Sequence, residues 1–368
     1  MGRPRARDLG IRFPGTPGPL NTITDIPSIE VGYSTLIEGA SVRTGVTIIH
    51  PRGPRNHDPV FAGWFPFNGN GELTGSAWIQ EGGFLEGPVA ITNTHSVGIV
   101  RDTIIDWQVR QHAIFQKWSC PVVGETADGW LNDMNGLHVK PEHVWNALES
   151  THGGPIEEGN VGGGTGMITY EFKGGTGTSS RRLRDDAGGW TVGALVQANF
   201  GRRYQLTIDG VPVGRYLTAA APFTDGQNPF APESGSLIVV LATDAPLLPH
   251  QLVRLAKRAT LGMARTGALG GNGSGDIFLA FSTANAGAAS SQAGTDGSRR
   301  RGVVNIQALT NSEIDPLFGA AAYATEEAII NALVAAETMT GLNGLTVEAL
   351  PHDELRALME QSYRQAAT

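Results

Sequence analysis

The sequence has little cysteine and little charge. Its 368 residues include a single cysteine, Cys120, and only 17% charged residues, with a formal net charge of −8. One cysteine cannot form a disulfide within the chain, which fits a reducing compartment. An acidic chain lacks the basic field that binds phosphate backbones, which argues against nucleic acid as a partner. We therefore expect the partner to be a small molecule.

Long hydrophobic runs are also missing. No window approaches the roughly 20 apolar residues of a membrane helix. The basic N-terminal residues 1–8 are not followed by an apolar stretch long enough for a signal peptide. The sequence therefore predicts a cytoplasmic protein that does not bind a membrane.

Several common active-site patterns are absent. The nine histidines never fall in an HExxH or other paired spacing, so we expect no metal site. The stretch GGGTG at 162–166 resembles a phosphate cradle, but it lacks the P-loop lysine and the GxGxxG order of a dinucleotide site. A close backbone approach inside the fold is its better interpretation. There is no GxSxG nucleophile elbow either. The sequence therefore predicts no cofactor and gives no support to an α/β-hydrolase serine.

Glycine is abundant, with 50 residues in a chain that is 40% hydrophobic, which is typical of a folded protein rich in tight turns. The hydrophobic pattern predicts strands at 28–36, 43–51, 89–93, 190–200, 203–208, 236–242 and 276–282, and helices at 96–116, 244–265, 319–340 and 350–365. A proline-rich loop at 220–235 and a low-complexity loop at 284–302 lie between them. This arrangement favours stacked sheets covered by helices.

A serine that opens a strand offers another route to a nucleophile. In an N-terminal nucleophile the chain cuts itself, and the freed α-amino group serves as base for its own side chain. An α-amine has a pKa of about 7.7 to 8.0, which suits a general base near neutrality. Gly-Ser bonds end at Ser76, Ser236, Ser274 and Ser298. Only Ser236 combines the entrance of an apolar strand with a long loop before it, although a Gly-Ser pair there is also a common turn.

A resemblance to a known family adds to this pattern. The segments that carry it follow one another along nearly the whole chain, at 6–10, 21–27, 124–126, 131–133, 159–167, 197–201, 236–244 and 272–285. In that order the chain resembles the self-processing serine aminopeptidases, which include L-aminopeptidase/D-Ala-esterase/amidases and β-peptidyl aminopeptidases. The resemblance implies a four-layer α/β/β/α sandwich, like the N-terminal-nucleophile hydrolases but with different strand connections. It also implies a homotetramer of two-chain units.

The resemblance implies cleavage between Gly235 and Ser236, which would divide a single composite domain, 1–368, into chains 1–235 and 236–368. Ser236 would be the nucleophile of both the self-cleavage and the hydrolysis. The Ser274 hydroxyl would bond to Ser236 and the Asp276 carboxylate would orient the set. Residues i and i+2 of a strand share a face, so this spacing suits one pocket.

The remaining roles concern the substrate. The resemblance implies that the Asn199 side-chain amide donates a hydrogen bond to the oxyanion that forms when the substrate carbonyl is attacked. An amide donates without carrying a charge. Glu125 receives the free amino group of a short peptide, amide or ester, since a buried cation needs an opposing charge. Trp130 is a candidate pocket wall, and Asn132 and Asp133 are candidates to support Glu125.

Two alternatives stay open at this point. An acyltransferase of the ornithine acetyltransferase type is built on a similar plan, but we expect a threonine nucleophile there, whereas this chain has Ser236. An unprocessed relative that binds a small ligand without turnover is the other.

Overall fold

Two β-sheets lie face to face between two layers of helices in the computed structural model of the chain, which describes residues 3–223, 233–289 and 303–366. Within these ranges the strands are β1 (Glu30–Glu38), β2 (Val42–His50), β3 (Val60–Pro66), β4 (Phe84–Leu85), β5 (Val89–Asn93), β6 (Val122–Thr126), β7 (Ile168–Thr169), β8 (Phe172–Lys173), β9 (Gly175–Arg182), β10 (Thr191–Asn199), β11 (Ser234–Thr243), β12 (Gly273–Ser282), β13 (Met339–Thr340) and β14 (Thr346–Val347). The helices are α1 (Ser76–Gly82), α2 (Val97–Arg110), α3 (Pro141–Glu149), α4 (Pro249–Ala256), α5 (Ala259–Arg265), α6 (Asp315–Val334) and α7 (His352–Ala366).

Six strands form the larger sheet, in the order β4-β3-β12-β11-β10-β9. Its pairs are antiparallel except for β11 and β12, which run parallel. The smaller sheet has the order β1-β2-β5-β6, and its last pair is parallel. Strand β11 is therefore central, with β12 on one side and β10 on the other.

The apolar run of β11 separates two cores. Leu237, Val239 and Leu241 pack with residues of helices α4 to α7 on one face. Ile238 and Val240 pack against the smaller sheet on the other face. A third core joins the outer face of the smaller sheet to α2 and α3. These layers confirm the expected four-layer α/β/β/α sandwich, because a strand buried on both faces needs a layer on each side.

The glycine-rich stretch at 162–166 is buried between the sheets. A Cβ on Gly163 would lie 2.1 Å from Gln197 Oε1, and one on Gly164 would lie 2.3 Å from the backbone nitrogen of Thr176. Such distances leave no room for a side chain. The expected close backbone approach is confirmed.

Several predicted elements have different ends. The segment at 244–265 contains two helices, α4 and α5, rather than one, α2 ends at Arg110, and α6 runs from Asp315 to Val334. The predicted strand at 203–208 is wrong, because a 3₁₀ turn, Arg203–Gln205, occupies its first half and only the pair Ile208 and Val211 forms a β-bridge.

Parts of the two predicted loops lie outside the described residues, namely 224–232 of the proline-rich loop and 290–302 of the low-complexity loop, which includes Ser298. Within the described ranges, no helix combines the length and the apolar character needed to cross a membrane.

Candidate active site

A pocket of about 550 Å³ is lined by residues from both sheets. Its lining comprises Asn70, Gly71, Glu72, Thr94, Glu125, Ala127, Trp130, Ile168, Asn199, Phe200, Gly201, Phe223, Gly235, Ser236 and Gly273. Five residues proposed from the sequence are among them: Glu125, Trp130, Asn199, Gly235 and Ser236. The volume suits a small molecule.

Ser236 lies near the start of β11, opposite Asn199 of antiparallel β10. Its side chain follows the strand alternation of Ile238 and Val240, so it faces the gap between the sheets. The residue is only 4% exposed. Its Oγ donates a hydrogen bond of 2.5 Å to the carbonyl oxygen of Gly235. The hydroxyl therefore sits beside the carbonyl of the peptide bond that would be cut.

Gly235 is tightly enclosed. A Cβ at this position would lie 2.5 Å from the carbonyl oxygen of Asn199 and 2.8 Å from the Cα of Phe200. A larger residue would push β11 away from β10 at the point where Ser236 faces the pocket. The glycine is therefore required by packing against β10.

The Asn199 side chain is fixed at both ends. Its Oδ1 accepts from the backbone N–H of Ile168 at 2.9 Å, and its Nδ2 donates to the carbonyl oxygen of Ala127 at 2.9 Å. Because one partner only donates and the other only accepts, the orientation of the amide is determined. An amide nitrogen carries two N–H groups, and Ala127 takes one of them.

Ser274 and Asp276 contact each other, as the i, i+2 spacing predicts. Ser274 Oγ donates to Asp276 Oδ1 at 2.8 Å, and Asn68 Nδ2 donates to Asp276 Oδ2 at 3.0 Å. The expected bond from Ser274 to Ser236 is not present, since Ser236 Oγ is directed to Gly235 and Ser274 Oγ to Asp276. In the parallel register Asp276 lies opposite Leu237. The carboxylate is thus beside the main chain next to Ser236 rather than beside its hydroxyl.

Asp276 is fully buried, and its burial raises the pKa of this carboxyl to about 6. Hydrogen bonds from Asn68, Ser274 and the Leu237 backbone work in the opposite direction, whereas the charge of Glu233 raises the pKa further. A carboxyl with this pKa changes its charge close to neutrality.

Glu125 presents a buried carboxylate to the pocket from β6. Burial raises its pKa, and hydrogen bonds from the Thr94 hydroxyl and the backbone N–H of Glu72 partly offset this effect. The Glu72 N–H lies 2.9 Å from Oε1. An incoming cation would favour the charged form of Glu125.

Trp130 and Phe223 form an aromatic side of the pocket, with ring centroids 4.8 Å apart. The structure does not bring Asp133 to this pocket. The Asp133 carboxylate instead lies 3.2 Å from His138 Nε2. Asn132 is buried and bonds to Asp128 and to the backbone of Arg43. It therefore supports the turn and not Glu125.

Sequence reasoning missed Asn68, Glu72 and Thr94. Asn68 and Glu72 belong to the loop after β3, whose NGNG stretch is a recognisable turn signal. Thr94 directly follows β5, the strand that pairs with β6. Nothing in the local sequence indicates that these loops approach Glu125 or Asp276.

This arrangement defines a class of protein. The fold is a four-layer sandwich, and a serine near the start of a central strand faces a pocket with a polar amide and a buried carboxylate. This is the architecture of an Ntn-type hydrolase. The chain belongs to peptidase family S58, which matches residues 21–347. It is a hydrolase, a serine aminopeptidase.

Named relatives agree with this assignment. The chain is 51% identical to the β-peptidyl aminopeptidase BapA of Sphingosinicella microcystinivorans, over 99% of this chain and 94% of that protein. A solved Burkholderia sp. β-aminopeptidase is 49% identical, covers 97% of this chain and 99% of its own, and superposes with a TM-score of 0.89.

The L-aminopeptidase D-Ala-esterase/amidase of Ochrobactrum anthropi is 46% identical, with a TM-score of 0.89 over 98% of this chain and 99% of that one. That enzyme is described as a prototype of the serine aminopeptidases and a new variant among the Ntn hydrolase fold. The fold and the enzyme class expected from the sequence are thereby confirmed.

Proposed function

We propose that the chain cuts itself between Gly235 and Ser236 and that the new N-terminal Ser236 then hydrolyses substrates. The observation that carries this proposal is the 2.5 Å hydrogen bond from Ser236 Oγ to the Gly235 carbonyl oxygen, in a pocket shared with Glu125. A nucleophile that touches its own upstream carbonyl needs little movement to reach the carbonyl carbon.

The self-cleavage has two steps. Ser236 Oγ attacks the Gly235 carbonyl carbon, the hydroxyl proton passes to the departing nitrogen, and an ester with a free α-amine results. Water then hydrolyses the ester, which leaves a carboxylate on Gly235 and restores the serine hydroxyl. The products are pieces of 235 and 133 residues.

In turnover, the α-amine of Ser236 takes the proton from its own Oγ as the hydroxyl attacks the substrate carbonyl, and it passes this proton to the amine or alcohol that leaves. Water then hydrolyses the acyl ester on Oγ, which releases the acid and restores the serine hydroxyl. The second N–H of the Asn199 amide stabilises the oxyanion. Asp276 holds the α-amine in place, because it lies beside the main chain next to Ser236 and is bonded to Ser274. No metal or cofactor takes part in these steps.

Substrate recognition rests on the free amino group. Its cation binds Glu125, and the first side chain lies along Trp130 and Phe223. The substrates are therefore short peptides, amides or esters with an unblocked amino terminus. We include β-amino acids among the residues to test, because two relatives are a β-peptidyl aminopeptidase and a β-aminopeptidase.

The two pieces form one composite domain over 1–368, because strands of both belong to the larger sheet. The assembly is a homotetramer of these two-chain units, and its location is the cytoplasm, where a chain with a single cysteine is suited to reducing conditions.

Denaturing gel electrophoresis tests the self-cleavage. Active protein separates into two bands with lengths of 235 and 133 residues, and Ser236→Ala gives one intact band without hydrolytic activity. Ser76→Ala, at another Gly-Ser bond, is the matched control and still gives two bands. A single intact band from fully active protein would rule the mechanism out, and activity in Ser236→Ala would point to another nucleophile.

A further inference from the structure

A buried carboxylate lies three residues before the proposed nucleophile, and none of the steps above uses it. Glu233 is 7% exposed. Its Oε1 accepts from the backbone N–H of Gly201 at 3.0 Å, and its Oε2 accepts from Gln205 Nε2 at 3.4 Å. The backbone of Gly271 donates to the same carboxylate. A buried carboxylate with several donors is held in one place.

Two of these donors lie next to the strands on either side of β11. Gly201 lies two residues after Asn199, at the end of β10, and Gly271 lies two residues before Gly273, where β12 begins. Glu233 itself directly precedes β11. The carboxylate therefore ties the segment that leads into the scissile bond to the strands on either side of it.

Glycine is needed where this segment approaches its neighbours. A Cβ on Gly271 would lie 2.5 Å from the Cβ of Glu233, and a Cβ on Gly235 would lie 2.5 Å from the carbonyl oxygen of Asn199. Residues 233–235 thus pack closely against Gly271, just before β12, at one end and against Asn199 of β10 at the other. Its path leaves little freedom for the Gly235 carbonyl.

Three titratable groups interact with Glu233, namely Arg202, Asp276 and Tyr170. Arg202, which is ion-paired with Glu171, lowers the pKa of Glu233, whereas burial, the largest effect, raises it. Glu233 in turn raises the pKa of Asp276 and of Tyr170. Glu233 lies near Asp276 but does not line the pocket.

We propose that Glu233 is a positioning residue for the self-cleavage: its ionised carboxylate fixes residues 233–235 so that the Gly235 carbonyl stays against Ser236 Oγ. This proposal rests on the proposed function. The role ends with the cleavage, because Glu233 is then no longer joined covalently to Ser236. Removing it slows maturation but leaves the matured enzyme active.

The test follows maturation in time. The full chain is labelled by cell-free synthesis, chased at a fixed pH, and the two pieces are separated on a denaturing gel. Glu233→Gln keeps an acceptor for the Gly201 N–H but turns an N–H₂ group toward the donor of Gln205. We expect it to slow cleavage about 10-fold, and Glu233→Ala about 100-fold, since misplacing a reacting group by about 1 Å has effects of this size.

Three comparisons separate positioning from a general loss of structure. The control Glu149→Gln, at the exposed end of α3, cleaves at the parent rate. The matured fraction of each Glu233 variant has a kcat/KM within about 3-fold of the parent at pH 8. The parent's cleavage rate falls as pH drops through the raised pKa of Glu233, and this part of the profile is missing in Glu233→Gln.

The outcomes are distinguishable. Cleavage of Glu233→Ala at the parent rate overturns the proposal, as does a matured variant whose kcat has fallen as much as its cleavage rate. If Glu233→Ala does not fold, Glu233→Gln decides, because a parent rate and a parent pH profile in that variant also overturn it. Cleavage of Ser236→Ala, or no cleavage of the parent, contradicts the proposed function itself, whatever the Glu233 variants do.

Discussion

At the scale of the residue, the pocket and its surroundings bring together side chains from distant parts of the chain. Ser236 was recognisable from a Gly-Ser bond before an apolar strand, and Asn199, Glu125 and Asp276 from a family resemblance. Asn68 was not, since only the folded loop after β3 brings its amide to Asp276. A sequence reveals residues whose type and local setting are unusual, but an asparagine in a turn has an ordinary setting.

Replacing Glu125 with glutamine removes the charge and keeps the shape. For a free-amine substrate such as an aminoacyl p-nitroanilide, we expect kcat/KM to fall about 10- to 100-fold, mainly through KM, because a charge-assisted hydrogen bond is lost. In the parent, activity falls as pH drops through the raised pKa of Glu125, because protonation removes the anion that binds the amine.

Glu72→Gln is the matched control for this variant. Glu72 supports Glu125 through its backbone N–H, which the substitution keeps, so we expect a much smaller change. N-acetylation of the substrate should abolish turnover. Equal cleavage of the blocked and free substrates would show that Glu125 is not the amine anchor.

Asn199→Ala should reduce kcat about 10²- to 10³-fold with little change in KM, because an oxyanion donor acts in the transition state. Gln197→Ala is the matched control. Gln197 lies on the same face of β10 and donates to Thr92 and Thr126, so its loss has a similar structural cost without touching the pocket. Equal loss of kcat in both variants would indicate a structural role for Asn199.

At the scale of the element, predictability depended on how a strand is buried. The apolar run of β11 was predicted within two residues of its start. β9 was missed because its sequence, GTGTSSRR, is polar although most of it is buried. Its hydroxyls are satisfied internally: Thr178 Oγ1 donates to the Ala194 carbonyl at 2.7 Å, and Ser179 Oγ donates to the Ala324 carbonyl of α6 at 2.6 Å. A hydropathy pattern does not reveal a buried strand whose polar side chains are satisfied by internal hydrogen bonds.

The contact between α6 and the N-terminal segment depends on a buried ion pair. Glu327 is bound by Arg181, which is itself buried, at 2.7 Å and by Arg7 at 2.7 Å. Burial alone would raise the pKa of Glu327, but the hydrogen bond from Arg7 and the two guanidinium charges outweigh it and lower the pKa. Its contribution to stability is therefore present above the pKa of the unfolded chain and is lost as pH falls through the lower pKa of the folded state.

Glu327→Gln should lower the free energy of unfolding by about 3–5 kcal/mol, because Arg181 is left buried with an uncompensated charge. Urea unfolding at pH 7 measures the change. Glu326→Gln is the neighbouring control on α6, and its smaller effect follows from the 42% exposure of its partner Arg265. An equal loss in the two variants would contradict a special role for the buried pair.

At the scale of the whole molecule, the proposed cut falls inside the larger sheet. Strands β11 and β12 come from the C-terminal piece apart from the two residues before Ser236, and they lie between β3 and β10 of the N-terminal piece. β11 pairs with β10 over eight residue pairs, and β12 pairs with β3 over six. Helix α6 of the C-terminal piece packs in the same core as β10. Separating the pieces would require breaking the sheet on both sides of the β11–β12 pair.

We therefore expect the cleaved protein to behave as one folding unit. In native buffer its two pieces should elute together from a sizing column, at the same volume as uncleaved Ser236→Ala. Thermal unfolding should occur in one transition, coincident by circular dichroism and by tryptophan fluorescence, because strands of both pieces share one core. Elution of a free piece in native buffer, or two separate transitions, would show that the sequences before and after Gly235 fold as independent domains.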